Sequence, residues 1–289
     1  MSKLFSFIVI TFNEEMHLGR LLQSFDGLDA PIYVLDSGST DQTLDIAAKF
    51  GATVLENKFE NHPKQWDFAL NNFDIKTPWV ICLDADHVVT PQLKQLLLTF
   101  RDEDHSDVNG IYFNRKNYFK GRWLRFGGYY PFYQLKMFRY GIGYSDLSEN
   151  MDHRFIAPGK TLVWKKGWLI EENLKENNIS FWVDKHNRYS DQVAHEEVER
   201  MQNLRLQTIK PRLWGSPYER NAWLKNKWWQ MPRYTRPVLY FCYRFFFRLG
   251  FLDGREGRTF HFLQAYWFRL MVDIKIDELL KKQENNAKK

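Results

Sequence analysis

The chain has 289 residues, 44% of them apolar and 26% charged, and a net charge of +6. That is ample material for a core, and without repeats or low-complexity tracts it excludes a fibre, a repeat array or a disordered tail protein. The two cysteines, Cys82 and Cys242, have no metal-ligand spacing and read as reduced thiols in a cytosolic setting. Met1-Ser2-Lys3-Leu4 leads into the first apolar run and reads as carrying no leader peptide.

The N-terminal third alternates strands and helices. Residues 5–10 form an apolar run that stops at Thr11-Phe12-Asn13-Glu14-Glu15, and residues 17–25 carry apolar side chains at helical spacing. A second strand, 32–35, ends in Asp36-Ser37-Gly38-Ser39-Thr40-Asp41. There Ser39 or Thr40 is expected to cap a helix bearing Leu44, Ile46, Ala47 and Phe50. A strand at 52–55, a helix at 64–71 and a strand at 79–83 follow, the last ending in Asp84-Ala85-Asp86-His87. This alternation predicts an α/β fold with a mainly parallel central sheet and flanking helices. Ligands of such sheets bind beyond the carboxyl ends of the strands, so the loops beginning at Thr11, Asp36 and Asp84 are expected to share one edge.

Packing does not require two carboxylates at the exit of a buried strand. A hard divalent cation such as Mn2+ or Mg2+ does suit them, because it takes oxygen ligands and keeps positions open for phosphate and water. The competing reading is a turn acid, and for Asn13-Glu14-Glu15 it is simple capping of a helix start. There is no Gly-x-Gly-x-x-Gly after the first strand and no Walker loop, which argues against dinucleotide and P-loop chemistry.

In order, Ile8-Val9-Ile10-Thr11-Phe12-Asn13-Glu14-Glu15, Val34-Leu35-Asp36-Ser37-Gly38-Ser39-Thr40-Asp41 and Leu83-Asp84-Ala85-Asp86 resemble the family 2 glycosyltransferases with the GT-A nucleotide-diphospho-sugar transferase fold. The likeness is close over residues 4–100. Gly121-Arg122-Trp123-Leu124, Met137-Phe138-Arg139, Lys185-His186-Asn187-Arg188-Tyr189-Ser190 and Gly250-Phe251-Leu252-Asp253-Gly254 resemble the bacterial branch that builds lipopolysaccharide core and exopolysaccharide. The resemblance implies inverting transfer of a sugar from a nucleotide-diphospho-sugar, most readily a UDP-sugar. It further implies metal contact by Asp86, with Asp84 on the ribose or a metal-bound water. His87, beside them in the chain, and His186 are read from the residues themselves as further candidate ligands. Thr11 and Asp36 should touch the base, with Glu14 or Glu15 helping to hold the nucleoside and Asn13 on the same donor-binding loop. The catalytic base is expected at Glu149, ahead of Asp146 and Asp152 in the same segment. Lys185 and Arg188 are read as lying on a loop that closes over the diphosphate.

The C-terminal part is dense in arginine, lysine and aromatic residues. Residues 237–249 are too short and too charged to span a bilayer. They read as a helix, started by Pro237 and ended by Gly250, that lies on lipid with Arg236, Tyr240, Arg244 and Arg248 near one face. The competing reading is a helix packed on the catalytic domain. Residues 251–257 form a turn, and 259–280 a second amphipathic helix. No RNA-binding motif accompanies the charge, so no nucleic-acid partner is expected.

The expected organisation is a GT-A catalytic domain over 1–205, with donor half 1–100 and acceptor half 101–205. A basic aromatic membrane-associating helical region over 206–282 and a disordered tail over 283–289 complete it. The expected function is an inverting, metal-dependent glycosyltransferase, peripheral on the cytoplasmic face of the cell membrane, acting on a lipid-linked or glycolipid acceptor in surface-polysaccharide biosynthesis. The alternatives are a nucleotidyltransferase acting on a sugar phosphate, and a non-catalytic membrane adaptor.

Overall fold

The computed structural model describes residues 3–148, 153–202 and 209–287. In chain order the elements are β1 (Phe5–Thr11), α1 (Leu18–Gln23), β2 (Ile32–Asp36), α2 (Thr43–Lys49), β3 (Thr53–Glu56), α3 (His62–Asn72), β4 (Trp79–Asp84), β5 (His87–Val89), α4 (Pro91–Leu98) and β6 (Val108–Phe119). Then come β7 (Arg122–Trp123), β8 (Phe132–Arg139), β9 (Tyr144–Ser145), β10 (Phe155–Ile156) and β11 (Lys160–Glu171). The rest is helical: α5 (Ile179–Met201), α6 (Pro217–Trp229), α7 (Thr235–Cys242), α8 (Gly254–His261) and α9 (Phe268–Ala287). The chain divides into two compact units, Met1–Tyr118 with Pro131–Leu174, and Phe119–Tyr130 with Lys175–Lys289.

The first unit is built on a sheet of order β3-β2-β1-β4-β8-β6-β11-β5. Its N-terminal half, β3 to β4, is parallel throughout, and β6 and β11 are also parallel. The fold is therefore the α/β class with a mainly parallel sheet that the strand–helix alternation predicts. Central β1 is buried along its whole length, as an apolar strand covered on both faces must be. Phe7 stacks on Phe25 of the following helix region at 3.8 Å, and Trp79 meets Phe100 edge-on at 5.4 Å. The α2 start differs from expectation. The N-cap position is Gln42, without a side-chain cap bond, and Thr43 N–H donates to Asp41 Oδ1 at 3.0 Å just before the helix.

The second unit packs α5 along α9 through Ala194, Val198, Phe268, Val272 and Ile276. Residues 185–190 thus lie within the helix α5 rather than on a closing loop. Helix α6 opens on a capping box, with Glu219 N–H donating to Ser216 Oγ and Ser216 N–H to Glu219 Oε2. Helix α7 runs into a π-helical turn, Tyr243–Phe247, and ends where Leu249 takes a left-handed conformation at φ 59°. The segment expected as a turn contains the start of α8, because Asp253 is buried and its carboxylate accepts from Arg125 and Phe126 N–H.

The arginine face of α7 points inward, which reverses the orientation expected from its charge. Arg236 is 1% exposed and ion-paired with Glu197 at 2.8 Å and with Asp273. Arg244 lies 3.8 Å from the centre of the Tyr129 ring and donates to the Tyr240 hydroxyl. Only Arg248 of that set is exposed. The tail expected to be frayed from 283 is helical to Ala287, where Gln202 Nε2 donates to Gln283 Oε1 at 2.8 Å. Among the described residues no helix is long and apolar enough to cross a membrane.

Candidate functional site

Register alone brings the three polar exits together. Thr11 pairs with Asp36 across β1 and β2, and Ile10 pairs with Asp84 across β1 and β4. The carboxyl ends of three adjacent parallel strands thus form one edge, as expected.

Two of the loops on that edge are zipped into a single wall. Thr11 Oγ1 donates to Asp36 Oδ1 at 2.7 Å, Asn13 N–H to Ser39 Oγ at 2.8 Å, and Glu14 N–H to Thr43 Oγ1 at 2.7 Å. In return Thr40 N–H donates to Asn13 Oδ1 at 2.8 Å and Gln42 N–H to Glu15 Oε2 at 3.2 Å. Asn13 does this from a left-handed backbone conformation, φ 53°, which asparagine tolerates better than most residues. Thr11 and Asp36, the residues expected to touch the base, are bonded to each other across the two strand ends. Asp36 is fully buried, and its carboxylate also accepts from Gly38 and Ser39 N–H at 2.8 and 2.6 Å. Both residues therefore organise the wall, whereas Asn13 is half-buried and Glu15 exposed on it.

The wall is pinned from behind by His17, which is fully buried. Leu174 N–H donates to its Nε2 at 2.8 Å, so the proton sits on Nδ1 and is donated to Glu14 Oε2 at 2.5 Å. Arg20 does the same for the third loop. Its guanidinium donates to Glu172 Oε2 at 2.8 Å and to the Glu172 carbonyl at 2.7 Å, while Glu172 N–H donates to the Asp86 carbonyl at 3.2 Å.

The most consequential contact at the exit was not anticipated. Lys136, 1% exposed in the middle of β8, places Nζ 2.8 Å from Asp84 Oδ2. His153 Nε2 stands 3.7 Å from Asp84 Oδ1. Burial alone would raise the Asp84 pKa, but Lys136, helped by His153 and His87, holds the carboxyl well below the ordinary range. Asp84 is thus an ionised carboxylate already matched by an ammonium group. As a metal ligand it is a poor fit, because a divalent cation there would face Lys136.

Asp86 is half-buried at the turn between β4 and β5. Its carboxylate is the oxygen donor of this exit that fits a hard cation completed by phosphate oxygens and water. Among the described residues no cluster of three or more His, Cys, Asp or Glu side chains is arranged to hold a metal on its own.

The histidines named as further ligands are both occupied. His87 is buried: Asp84 N–H donates to its Nδ1 at 3.0 Å, and Nε2 faces Glu171 Oε2 at 3.3 Å. Burial opposes ionisation of Glu171, yet Arg115 beside it brings its pKa down to about 2. His186 stacks on Trp182 at 3.6 Å inside the second unit, and burial lowers its pKa to about 4, so it is a neutral core histidine. Lys185 donates to Glu176 Oε1 at 2.8 Å, and Arg188 is exposed on α5.

Of the three candidate bases, Glu149 and Asp152 lie outside the described residues. Asp146 is described and engaged: Arg154 Nε donates to its Oδ2 at 2.7 Å, and Ser148 donates to Oδ1. Burial would raise its pKa, but Ser148 and Arg154 lower it, which makes it a weak base. The paired strands β9 and β10 lie beside the site, because His153, two residues before the start of β10, stands 3.7 Å from Asp84.

A family model described as Glycosyl transferase family 2 matches residues 6–153, just over half of the chain. An uncharacterized glycosyltransferase of Rickettsia typhi is 33% identical over 94 residues, covering 32% of this chain and 31% of that protein. The poly(ribitol-phosphate) beta-N-acetylglucosaminyltransferase of Staphylococcus aureus is 32% identical over 115 residues, 36% of this chain and 20% of that protein. The chain thus spans less than a third of the length of these curated relatives. Among solved structures, glucosyl-3-phosphoglycerate synthase from Mycobacterium tuberculosis, in complex with Mn2+, UDP and glucosyl-3-phosphoglycerate, aligns at 23% identity with a TM-score of 0.30. That alignment covers 42% of this chain and 45% of that one.

Proposed function

Because the chain belongs to glycosyl transferase family 2, we propose that it transfers a sugar, with inversion, from a nucleotide-diphospho-sugar to a lipid-linked or glycolipid acceptor. The setting we propose is bacterial surface-polysaccharide biosynthesis on the inner face of the cell membrane, with a UDP-sugar as donor. The observation that carries the reading is the edge itself. Thr11, Asp36 and Asp84 end three adjacent parallel strands, and Asp86 stands one turn beyond. The family match sets aside the nucleotidyltransferase alternative.

In this reading Asn13 and Glu15 present the wall to the nucleoside, while Thr11 and Asp36 keep that wall from moving. Such preorganised positioning lowers the barrier without any reorganisation at the moment of reaction. Asp86 would hold the divalent ion, whose chemistry is to neutralise charge on the departing diphosphate. Lys136 keeps Asp84 ionised and fixes its orientation at the same edge. Glu149 takes the proton of the acceptor hydroxyl.

Calorimetry of UDP with manganese on the wild type and on Asp86→Ala tests the metal role, and the variant should lose manganese-dependent binding. Glu149→Gln should lower turnover about a hundredfold or more with UDP affinity unchanged. Equal manganese-dependent affinity in Asp86→Ala, or full turnover in Glu149→Gln, would overturn the respective assignment. A wild type without transfer or donor hydrolysis would leave the non-catalytic adaptor.

A further inference from the structure

We propose that the turn joining α7 to α8 is a docking tip that enters the headgroup region of an anionic lipid bilayer. The inference rests on the membrane part of the function proposed above and deepens it by naming the surface and the lipid chemistry.

Five large apolar side chains crowd this turn and face solvent. Phe247 is 80% exposed, Phe246 55%, Leu252 47%, Leu249 44% and Phe251 40%. Scattered apolar residues on a surface need no explanation, but five within seven positions form a patch. Leu249 adds a second sign. It occupies a left-handed backbone conformation, φ 59°, that glycine or asparagine would take with less strain. A strained and exposed leucine serves neither packing nor solubility within the unit.

The turn is held firmly from below, so its exposure is not fraying. Asp253 is 1% exposed, accepts from Arg125 and Phe126 N–H at 2.9 and 3.1 Å, and faces His261 Nε2 at 3.0 Å. Gly127 N–H donates to the Arg248 carbonyl at 2.8 Å. The Phe245 ring packs against those of Phe246 and Phe251 at 5.1 and 6.1 Å, joining the patch to the helix behind it.

Charge selects the occupant. Arg248, Arg255 and Arg258 are exposed in and just after the turn, and among the described residues no carboxylate pairs with them. Exposed Arg122 brings its guanidinium carbon to within 3.5 Å of where a side chain on Gly254 would begin. Between residues 243 and 261 the acids are Asp253, which is buried, and Glu256, which is half-buried. Rings and leucines at the apex with arginines behind them match a bilayer whose phosphates lie above its acyl chains. A second copy of the chain fits less well, because a two-fold contact at this patch would bring like-charged collars together.

The test is cosedimentation with phosphatidylcholine vesicles, with and without about a third phosphatidylglycerol, beside UDP calorimetry on the same samples. Wild type should partition onto the anionic vesicles. Phe246→Ser with Phe247→Ser should lower that partition about tenfold or more, and Arg255→Glu with Arg258→Glu about twenty-fivefold or more, at about fivefold per arginine lost. The arginine pair should leave the weak partition onto neutral vesicles unchanged. Both variants should bind UDP as wild type does. The proposal is overturned by a wild type that ignores anionic vesicles, or by a phenylalanine variant that sediments like wild type. Sedimentation equilibrium showing a wild-type dimer that this variant dissociates would overturn it as well. A wild type that binds vesicles but no UDP would defeat the glycosyl-transfer reading and leave the docking tip standing.

Discussion

Replacing Lys136 by methionine removes the ammonium group and keeps the length of the side chain, isolating its charge interaction with Asp84. Lys136 Nζ and Asp84 Oδ2 are 2.8 Å apart, with the two side chains 2% and 25% exposed. Coulomb attraction at that distance is about 6 kcal/mol at an effective dielectric constant near 20. Much of it is offset by the cost of taking Lys136 out of water, a cost the variant no longer bears. Removing one partner of a buried pair costs about 3–5 kcal/mol. A quarter of the Asp84 side chain still meets water, so we expect about 2–3 kcal/mol, or a Tm about 5–10 °C lower. The loss should depend on pH with a definite sign. In the wild type the folded-state pKa of Asp84 is depressed, so its stabilisation is present above the unfolded value near 3.9 and is lost as pH falls through the folded value. In the variant the chief cation is gone and burial penalises the carboxylate, so acid relieves it. Thermal unfolding of both proteins between about pH 3 and 8 should therefore show a gap that is widest near neutrality and narrows as pH falls below about 4. A gap that is constant with pH, or no gap at neutrality, would refute the electrostatic account of this pair.

Arg236→Met should lower the stability of the second unit by about 3–5 kcal/mol in urea unfolding, because it leaves Glu197 and Asp273 buried without their cation. Adding Glu197→Gln and Asp273→Asn should recover much of that loss, and failure to recover would show that packing rather than charge dominates there. His186 has a folded pKa lowered to about 4, mainly by burial, so above pH 6.5 it is neutral in both states and contributes no pH dependence. Between about pH 6.5 and 4 the unfolded chain takes up a proton that the folded chain refuses, and up to about 3 kcal/mol of stability is lost. His186→Phe keeps the stack on Trp182 and should flatten that limb, and an unchanged limb would mean that another group carries it.

The donor half of the fold was legible because each of its elements announces itself locally. An apolar run ending in a polar loop specifies a buried strand whatever lies beside it, and β1, β2, β3 and β4 each fall within a residue or two of expectation. Their parallel pairing follows from the intervening helices, so the meeting of Thr11, Asp36 and Asp84 needed no long-range knowledge. What position does not reveal is their mutual bond. Thr11 and Asp36 stand where a ligand-facing pair would stand and also bond to each other, a contact that depends on a few ångströms of loop path. Lys136 was missed for a related reason. Its signal is a single cation inside the run Leu135-Lys136-Met137-Phe138, and its meaning comes from Asp84, 52 positions earlier in the chain.

The C-terminal helices show the opposite difficulty. Arginine is rarely buried, so a helix carrying Arg236, Tyr240 and Arg244 on one stripe reads as turning that stripe to water or lipid. The stripe faces inward because other elements supply what the guanidinium groups require. For Arg236 these are carboxylates on α5 and α9, and for Arg244 the ring of Tyr129 and the hydroxyl of Tyr240. With the arginines turned in, the phenylalanines at the end of the same segment are turned out, and this links the two observations. Composition shows that rings and charges share a segment, but the hand of the helix and the partners behind it decide which of them meets the surroundings. A π-helical turn at Tyr243–Phe247 sharpens the point, since each extra residue per turn rotates the following side chains away from the stripe that a 3.6-residue period would assign. The exposure of Phe246 and Phe247 is thus a consequence of the burial of Arg236 and Arg244. On the docking reading proposed above, a substitution that frees those two arginines should also lower cosedimentation with anionic vesicles.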